Sequence, residues 1–178
     1  TSIEQTTDSG YIVAGYTGSN DGDVSGNHGG YDAWVLKLDV SGNLVWQKTF
    51  GGSANDYATS IEQTTDGGNI VAGYTGSNDG DVSGNHGLND FWVLKLDASG
   101  SLVWQKTFGG SANDYATSIE QTTDGGYIVG GSTYSSDGDI SNNHGNVDYW
   151  IIKLDDLGEL EWQKTLGGSN SDNANSIQ

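Results

Sequence analysis

Pairs of aspartates one residue apart, in a loop that occurs three times, are the side chains of this sequence best suited to chemistry. The loop "SNDGDVSGNHG" begins at Ser19, recurs unchanged at Ser77 and returns as "SSDGDISNNHG" at Ser135. Carboxylate and hydroxyl oxygens are the ligands that Ca²⁺ prefers, and it takes about six to eight of them. The repeated loop is therefore the first candidate for a cation site.

The spacing within the loop resembles that of an EF-hand calcium loop. Counted from Asp21, oxygen side chains fall at positions 1, 3 and 5, glycine falls at position 6, and a carboxylate returns at position 12. We therefore predict a loop-only site for Ca²⁺ as cofactor in each copy, without flanking helices. Its predicted ligands are Asp21, Asp23, Ser25 and Asp32, then Asp79, Asp81, Ser83 and Asp90, then Asp137, Asp139, Ser141 and Asp148. Plain turn chemistry is the alternative, because aspartate and asparagine are favoured in turns.

Each copy of the loop also contains one histidine near a serine, a combination that could suggest nucleophilic catalysis or zinc. An enzyme normally needs one asymmetric site rather than three equivalent ones, and zinc would need a second histidine or a cysteine in the same unit, which no unit has. We predict that the protein is not an enzyme and that the imidazoles hold the loop by hydrogen bonds. These histidines are His28, His86 and His144. The aspartates that follow "GGS" are predicted to cap that turn, and they are Asp56, Asp114 and Asp172.

The charge of the chain restricts its partners. The net charge is −18, and the sequence contains only six basic residues, all of them lysine. Nucleic acids and anionic membrane surfaces need a basic footprint, so we expect neither as a partner. No run of about 18 apolar residues is present, and membrane insertion is therefore not expected. Cations and neutral polymers such as glycans remain compatible with this charge.

The loop belongs to a repeat of 58 residues that covers the chain. Ile3 and Ile61 are separated by 58 residues, as are Trp34 and Trp92, and no insertion breaks the register. Three tandem copies follow one another, and the last ends with the start of a fourth first strand. The predicted units are residues 1–60, 61–118 and 119–178.

Strand signals within a unit predict an all-β fold. In the second copy, segments 58–65, 69–77, 90–97 and 102–108 are rich in β-branched and aromatic residues and are separated by glycine-rich turns. The turn "DVSG" before Asn43 suits a three-residue hairpin with Gly42 in the left-handed conformation. Counting back from it pairs Leu38 with Leu44, Leu36 with Trp46 and Trp34 with Lys48. A four-stranded sheet per repeat, apolar on both faces, favours β-propeller blades, with a β-trefoil or β-prism as the alternatives.

The sequence resembles a known repeat family over nearly its whole length. The stretches "FGGSANDYATSIEQTTDGG", "DYWIIKLD" and "WQKTLGG" are similar to the SBBP-type propeller repeat of bacterial secreted and surface proteins. The piece "KLDVSGNLVW" is also similar to the tryptophan-docking end of quinoprotein-type blades. The resemblance implies a propeller fold and an extracellular or cell-surface location. It is weak for function, because propellers host many unrelated activities. The "DGDVSGNHG" stretch departs from the family pattern.

These observations together predict a non-enzymatic extracellular repeat module for structure, adhesion or protein assembly, stabilised by calcium. Three blades are fewer than the four to eight of a closed propeller. We therefore expect the chain to associate with itself, as a homodimer or a longer array that completes the ring. A glycan or a surface protein is a further expected partner. The alternative function is that of a multivalent glycan-binding lectin.

Overall fold

The computed structural model describes residues 2–173 and 175–177, in which twelve β-strands form three four-stranded antiparallel sheets. The terminal residues of the predicted units, 1 and 178, lie outside the described residues. The first sheet contains β1 (Ser2–Gln5), β2 (Tyr11–Thr17), β3 (Asp32–Leu38) and β4 (Leu44–Phe50). The second contains β5 (Asp56–Gln63), β6 (Asn69–Thr75), β7 (Asp90–Leu96) and β8 (Leu102–Phe108). The third contains β9 (Asp114–Gln121), β10 (Tyr127–Thr133), β11 (Asp148–Leu154) and β12 (Leu160–Leu166).

Each sheet is a meander, because its strands are hydrogen-bonded in the order in which they occur in the chain. The second strand of one sheet contacts the first strand of the next, and the first strands of successive sheets also contact one another. This radial arrangement of consecutive meanders confirms the predicted β-propeller blades and excludes the trefoil and the prism. The sheets begin at Asp56 and Asp114, so unit boundaries after 60 and 118 pass through β5 and β9. No helix among the described residues is long and apolar enough to cross a bilayer.

The hydrophobic core lies between successive blades. One cluster joins Ile12 and Val35 of the first blade to Trp92 and Leu94 of the second. The next cluster repeats this pattern between the second and third blades. The second sheet, which lies between the other two, is therefore apolar on both faces, as the sequence predicted, and the stability of one blade depends on its neighbours.

The turn between β3 and β4 is as predicted, but most of the predicted strand register is wrong. Gly42 has a φ of 82°, and the Asp39 amide donates to the Asn43 carbonyl at 2.9 Å. Leu38 pairs with Leu44, and a β-bulge then follows at Val45. The bulge shifts every pair beyond it by one residue. The observed pairs are Lys37 with Trp46, Leu36 with Gln47, Val35 with Lys48 and Trp34 with Thr49.

The bulge changes which face of the sheet carries the second tryptophan of each repeat. Trp46 lies not against Leu36 but over the hairpin turn of the next blade, where a Cβ on Gly100 would be 2.9 Å from its ring. Trp104 packs in the same way on Gly158 of the third blade. The tryptophans are therefore only partly core residues, as Trp92 and Trp150 are fully buried while Trp162 is 49% exposed.

Candidate functional site

The repeated acidic loop lies against the preceding blade. We call residues 19–29, 77–87 and 135–145 the junction loops, and residues 51–53, 109–111 and 167–169 the GGS turns. The Ser53 amide donates to Asp79 Oδ1 at 2.8 Å, and the Gly51 amide donates to Asp81 Oδ2 at 3.3 Å. The Asp81 amide returns a bond to the Gly51 carbonyl at 2.9 Å. The junction loop of the second blade therefore fastens that blade to the first.

The same attachment occurs at the next junction. The Ser111 amide donates to Asp137 Oδ1 at 2.8 Å, and the Gly109 amide donates to Asp139 Oδ2 at 3.1 Å. Hydrogen bonds from backbone amides lower the pKa of both Asp79 and Asp137. In the first junction loop, Asp21 and Asp23 are exposed, because no blade precedes them in the described chain.

The final aspartate of each predicted ligand set is buried and bonded to the loop histidine. Asp32 Oδ2 accepts a hydrogen bond from the His28 amide at 2.8 Å and lies 2.7 Å from His28 Nδ1. The pairs His86–Asp90 and His144–Asp148 have the same geometry. The prediction that the imidazoles hold the loop by hydrogen bonds is confirmed.

The serine of each predicted ligand set has a different partner. Ser25 Oγ accepts a hydrogen bond from Gln47 Nε2 at 2.7 Å, and Gln47 Oε1 accepts one from Trp34 Nε1 at 2.9 Å. Ser83 and Ser141 are bonded to Gln105 and Gln163 in the same way. The serine and the final aspartate of a predicted ligand set therefore have separate hydrogen-bond partners. Within residues 2–173 and 175–177, no group of three or more His, Cys, Asp or Glu side chains is arranged to hold a metal ion. Calcium binding stays a prediction.

Two buried carboxyl groups lie next to each other at every junction. A Cβ on Gly51 would be 2.8 Å from Asp32 Oδ1 and 2.7 Å from Asp56 Oδ2, so only glycine fits between them. Asp56 Oδ2 accepts the Gly52 amide at 2.8 Å, which confirms its predicted role as a cap. Asp32 Oδ1 is buried without a hydrogen-bond partner in the described part of the chain.

The second junction shows what this proximity does to ionisation. Burial raises the pKa of Asp90, the hydrogen bonds from His86 oppose the rise, and the charge of Asp114 adds to it. The carboxyl pairs are thus a property of the junction between blades rather than of a single loop. The spacing of residues within one loop could not reveal them.

Glutamates line the axis around which the blades are arranged. Glu4, Glu62 and Glu120, with neighbouring serines and isoleucines, border a central cavity of about 440 Å³. Burial raises the pKa of Glu62, a hydrogen bond from the Gln121 amide opposes the rise, and repulsion by Glu4 and Glu120 adds to it. Sequence reasoning missed this feature, although the repeated "SIEQ" motif was its signal.

Six tyrosine rings form a second feature that sequence reasoning missed. Their centroids are separated by 4.8–6.1 Å from ring to neighbouring ring, across all three blades. We call this surface the tyrosine strip, and its members are Tyr16, Tyr31, Tyr57, Tyr74, Tyr115 and Tyr134. Most of them lie where a first strand begins or a second strand ends, so all occupy one rim of the blades. Tyrosines at these strand ends were the signal in the sequence.

Comparison with known proteins gives limited information on function. No family model matches the chain, and the resemblance to SBBP-type repeats stays a prediction. The regulatory protein FlaEY of Caulobacter vibrioides is 30% identical over 136 residues, which take in 70% of this chain and 14% of that protein. The chain therefore spans only about a seventh of this curated relative.

Two solved structures similar to this chain are variants of the Synechocystis apocarotenoid oxygenase. They are 17% and 18% identical to it and cover 92% of this chain and 37% of their own chains, with a TM-score of 0.47 in both cases. The oxygenase activity belongs to those proteins. The blade architecture of this chain rests on its own sheets and on the contacts between them.

Proposed function

We propose that the chain is a non-enzymatic β-propeller repeat module that acts in structure, adhesion or protein assembly by joining further blades to its own. One observation carries this proposal. The first and last blades each expose a sheet face, and the equivalent face of the other blades is covered by a neighbouring blade. The proposed extracellular or cell-surface location follows from the resemblance to repeats of secreted and surface proteins.

The first blade exposes the face that receives a preceding blade. In the second blade, Trp92 and Leu94 on this face are 0% and 1% exposed, because the first blade covers them. Their counterparts Trp34 and Leu36 are only half-buried and line an apolar groove of about 580 Å³. Covering such a surface would stabilise the assembly by roughly 25 cal/mol per Å² of apolar area.

The third blade exposes the opposite face. Trp46 and Trp104 each pack on the hairpin turn of the following blade, whereas Trp162 is 49% exposed. Among the described residues, no neighbouring atom lies within 4 Å of the Cβ position of Gly168 in the last GGS turn, while the same position of Gly52 is filled by the next junction loop. The last blade thus has every element of a junction except the following blade.

A second copy of the chain supplies the missing partner for both ends. Trp162 of one copy would pack on Gly42 of the other, and the last GGS turn would receive Asp21 and Asp23. Two such contacts, related by a twofold axis, would close a ring of six blades, which lies within the usual range of four to eight. Each contact would repeat one that already occurs twice inside the chain.

Size-exclusion chromatography with light scattering tests the assembly. We expect a species of twice 18.7 kDa. Trp162→Ala should shift the protein to the monomer, because it removes the ring that enters the neighbour. Val103→Ala serves as a control, since Val103 is a similarly exposed apolar residue at the outward bulge of β8. A single species of 18.7 kDa at every concentration would contradict the proposal.

Calcium remains part of this proposal as a stabilising ion. Calcium that binds only the folded chain would raise the melting temperature by mass action. Thermal unfolding and calorimetry of chelator-treated protein, with added calcium, measure this directly. The replacement of Asp79 and Asp81 by asparagine should abolish the shift. A shift that survives this replacement would place the ion elsewhere, and no heat or shift at millimolar calcium would leave turn chemistry alone.

Glycan binding is the second candidate function. The tyrosine strip supports it, because aromatic side chains with hydroxyl groups are suited to surfaces that are partly apolar and partly polar. Repeated blades would multiply a weak interaction by avidity if the copies assemble.

A further inference from the structure

The tyrosine strip is a continuous and accessible surface. Its outer members Tyr16, Tyr31 and Tyr134 are 51%, 45% and 48% exposed, and its inner members are half-buried. Neighbouring rings meet edge to face or tilted, so each ring is held by the next. A set of rings fixed in this way would lose little side-chain entropy on binding a ligand.

The third copy of the repeat retains the strip although its sequence differs. Ser132 stands at the position equivalent to Tyr74, which removes one ring. Tyr134 stands where the second copy has Gly76, two residues further along the chain and therefore on the same side of an extended segment. Its ring lies 6.1 Å from that of Tyr115, so an aromatic contact persists at a new position.

The carboxylates that act on two inner rings of the strip, Tyr57 and Tyr115, are buried. Burial raises the pKa of Tyr57 and of Tyr115, and these hydroxyls therefore stay protonated at neutral pH. The carboxylates beside these two rings, Asp56 and Asp114, are 0% exposed and bonded within the fold. A basic peptide would find accessible carboxylates in the junction loops, such as Asp21 and Asp23, rather than beside these two rings. The net charge of −18 would repel an anionic polymer.

Neutral hydrogen-bonding groups accompany the rings. Asn89 Nδ2 donates to Asn113 Oδ1 at 2.7 Å, and Asn89 also bonds to the Tyr115 hydroxyl. Apolar ring faces bordered by amides and protonated hydroxyls match the alternating CH and OH groups of a sugar. We propose that the tyrosine strip binds a neutral glycan chain along the rim of the blades. Assembly involves the sheet faces and, among the rings of the strip, Tyr16, which also lines the apolar groove of the first blade. Tyr31 and Tyr134 do not line that groove, so the proposal can be tested on them separately from assembly.

Calorimetry of the whole chain with cellohexaose, maltohexaose and mannohexaose tests the proposal. We expect at least one of these neutral oligosaccharides to bind, with an affinity that changes little between low and high salt, because no charge pair is involved. Polylysine serves as the charged comparison. Binding of polylysine alone, or failure of all three oligosaccharides to bind, would overturn the proposal.

Substitutions drawn from the other copies of the repeat locate the site without introducing foreign side chains. Tyr31→Asn introduces the residue found at the equivalent position of the second copy, Asn89. Tyr134→Gly likewise introduces the residue found at Gly76. Together they should weaken glycan binding about tenfold, since each removes an exposed ring. Tyr11→Ala is the control, because Tyr11 lies at the other end of β2 from Tyr16.

The fold of each variant is checked by its circular dichroism and its mass in solution. Equal binding by the wild type and by the Tyr31→Asn, Tyr134→Gly double variant would overturn the proposal. An equal loss in Tyr11→Ala would do the same. A loss confined to the double variant, with unchanged oligomeric mass, would support the glycan site separately from the assembly.

Discussion

The glutamates on the propeller axis destabilise the folded chain, because they are partly buried and repel one another. Glu62 is half-buried near Glu4 and Glu120, and its carboxylate accepts the Gln121 amide at 2.5 Å. The hydrogen bond favours the ionised form, but burial and like charge outweigh it, because the net pKa is raised above the usual 4.5. Ionisation of Glu62 at neutral pH is therefore less favourable in the folded chain than in the unfolded chain.

Glu62→Gln should stabilise the chain by a few tenths of a kcal/mol at pH 7, a small gain because solvent screens this half-exposed group. The amide oxygen can still accept the Gln121 bond, while the charge is removed. The gain should shrink as the pH falls through the raised pKa of Glu62 towards 4.5, where the wild-type group becomes neutral. Urea unfolding at several pH values measures this, with the exposed Asp156→Asn as control. A gain independent of pH would refute the explanation.

The tryptophans that pack on the hairpin turn of the following blade allow a second test with single substitutions. Trp104→Ala should cost about 3 kcal/mol, because it empties the contact with Gly158 and the core. Trp162→Ala removes the same side chain where no blade follows, and it should cost far less in dilute monomer. His86→Ala should lose only about one or two hydrogen bonds, roughly 1–2 kcal/mol. Equal losses in urea unfolding for the two tryptophans would contradict docking across the junction.

Among the elements, the strands could be predicted from the sequence, but their register could not. Alternating β-branched residues and glycine turns located β5 to β8 within two residues at every end. The bulge at Val45 has no local signal, because its turn has the residues of a regular hairpin. It reverses the side of the sheet on which Trp46 lies. The register is thus decided by packing on the next blade.

The candidate site was predicted in part for a similar reason. The loop, its histidine bond and the cap at Asp56 follow from local spacing and were recognised. The partners of Asp79 and Asp81 lie 26 and 30 residues earlier, in the preceding blade. No pattern within one loop indicates such a partner. The tyrosine strip also forms only when successive blades are placed side by side.

The docking of a junction loop on a GGS turn can be tested with matched glycines. A Cβ on Gly52 would lie 2.2 Å from Asp79 Oδ1 and 2.5 Å from the Asp79 carbonyl. Gly52→Ala should therefore destabilise the chain by about 1–3 kcal/mol through overpacking. Gly168→Ala makes the same change in a turn with free space around it, so it should be nearly neutral in the monomer. Chemical unfolding measures the stability of both variants. Similar losses of stability would show that the junction loop does not restrict a side chain in the GGS turn.

At the scale of the whole molecule, stability and association involve the same surfaces. Inside the chain, the facing sheet surfaces of adjacent blades form the hydrophobic core. The equivalent surfaces of the first and last blades are exposed. Association would therefore extend the core rather than add a separate interface. The net charge of −18 opposes association by self-repulsion, so salt should favour the assembled form.

The melting temperature should consequently rise with protein concentration, because assembly stabilises the folded chain by mass action. Gly42→Ala should remove this dependence, because the added Cβ would clash with Trp162 of the neighbouring copy. The same contact exists inside the chain, where a Cβ on Gly100 would lie 2.9 Å from the Trp46 ring. Gly67→Ala is the matched control, since Gly42 and Gly67 have φ values of 82° and 81° and free space around them within one chain. Both variants should lose about 1 kcal/mol of monomer stability to backbone strain. Only Gly42→Ala should lose the concentration dependence in scanning calorimetry, and an equal loss in both would exclude the tryptophan contact between copies.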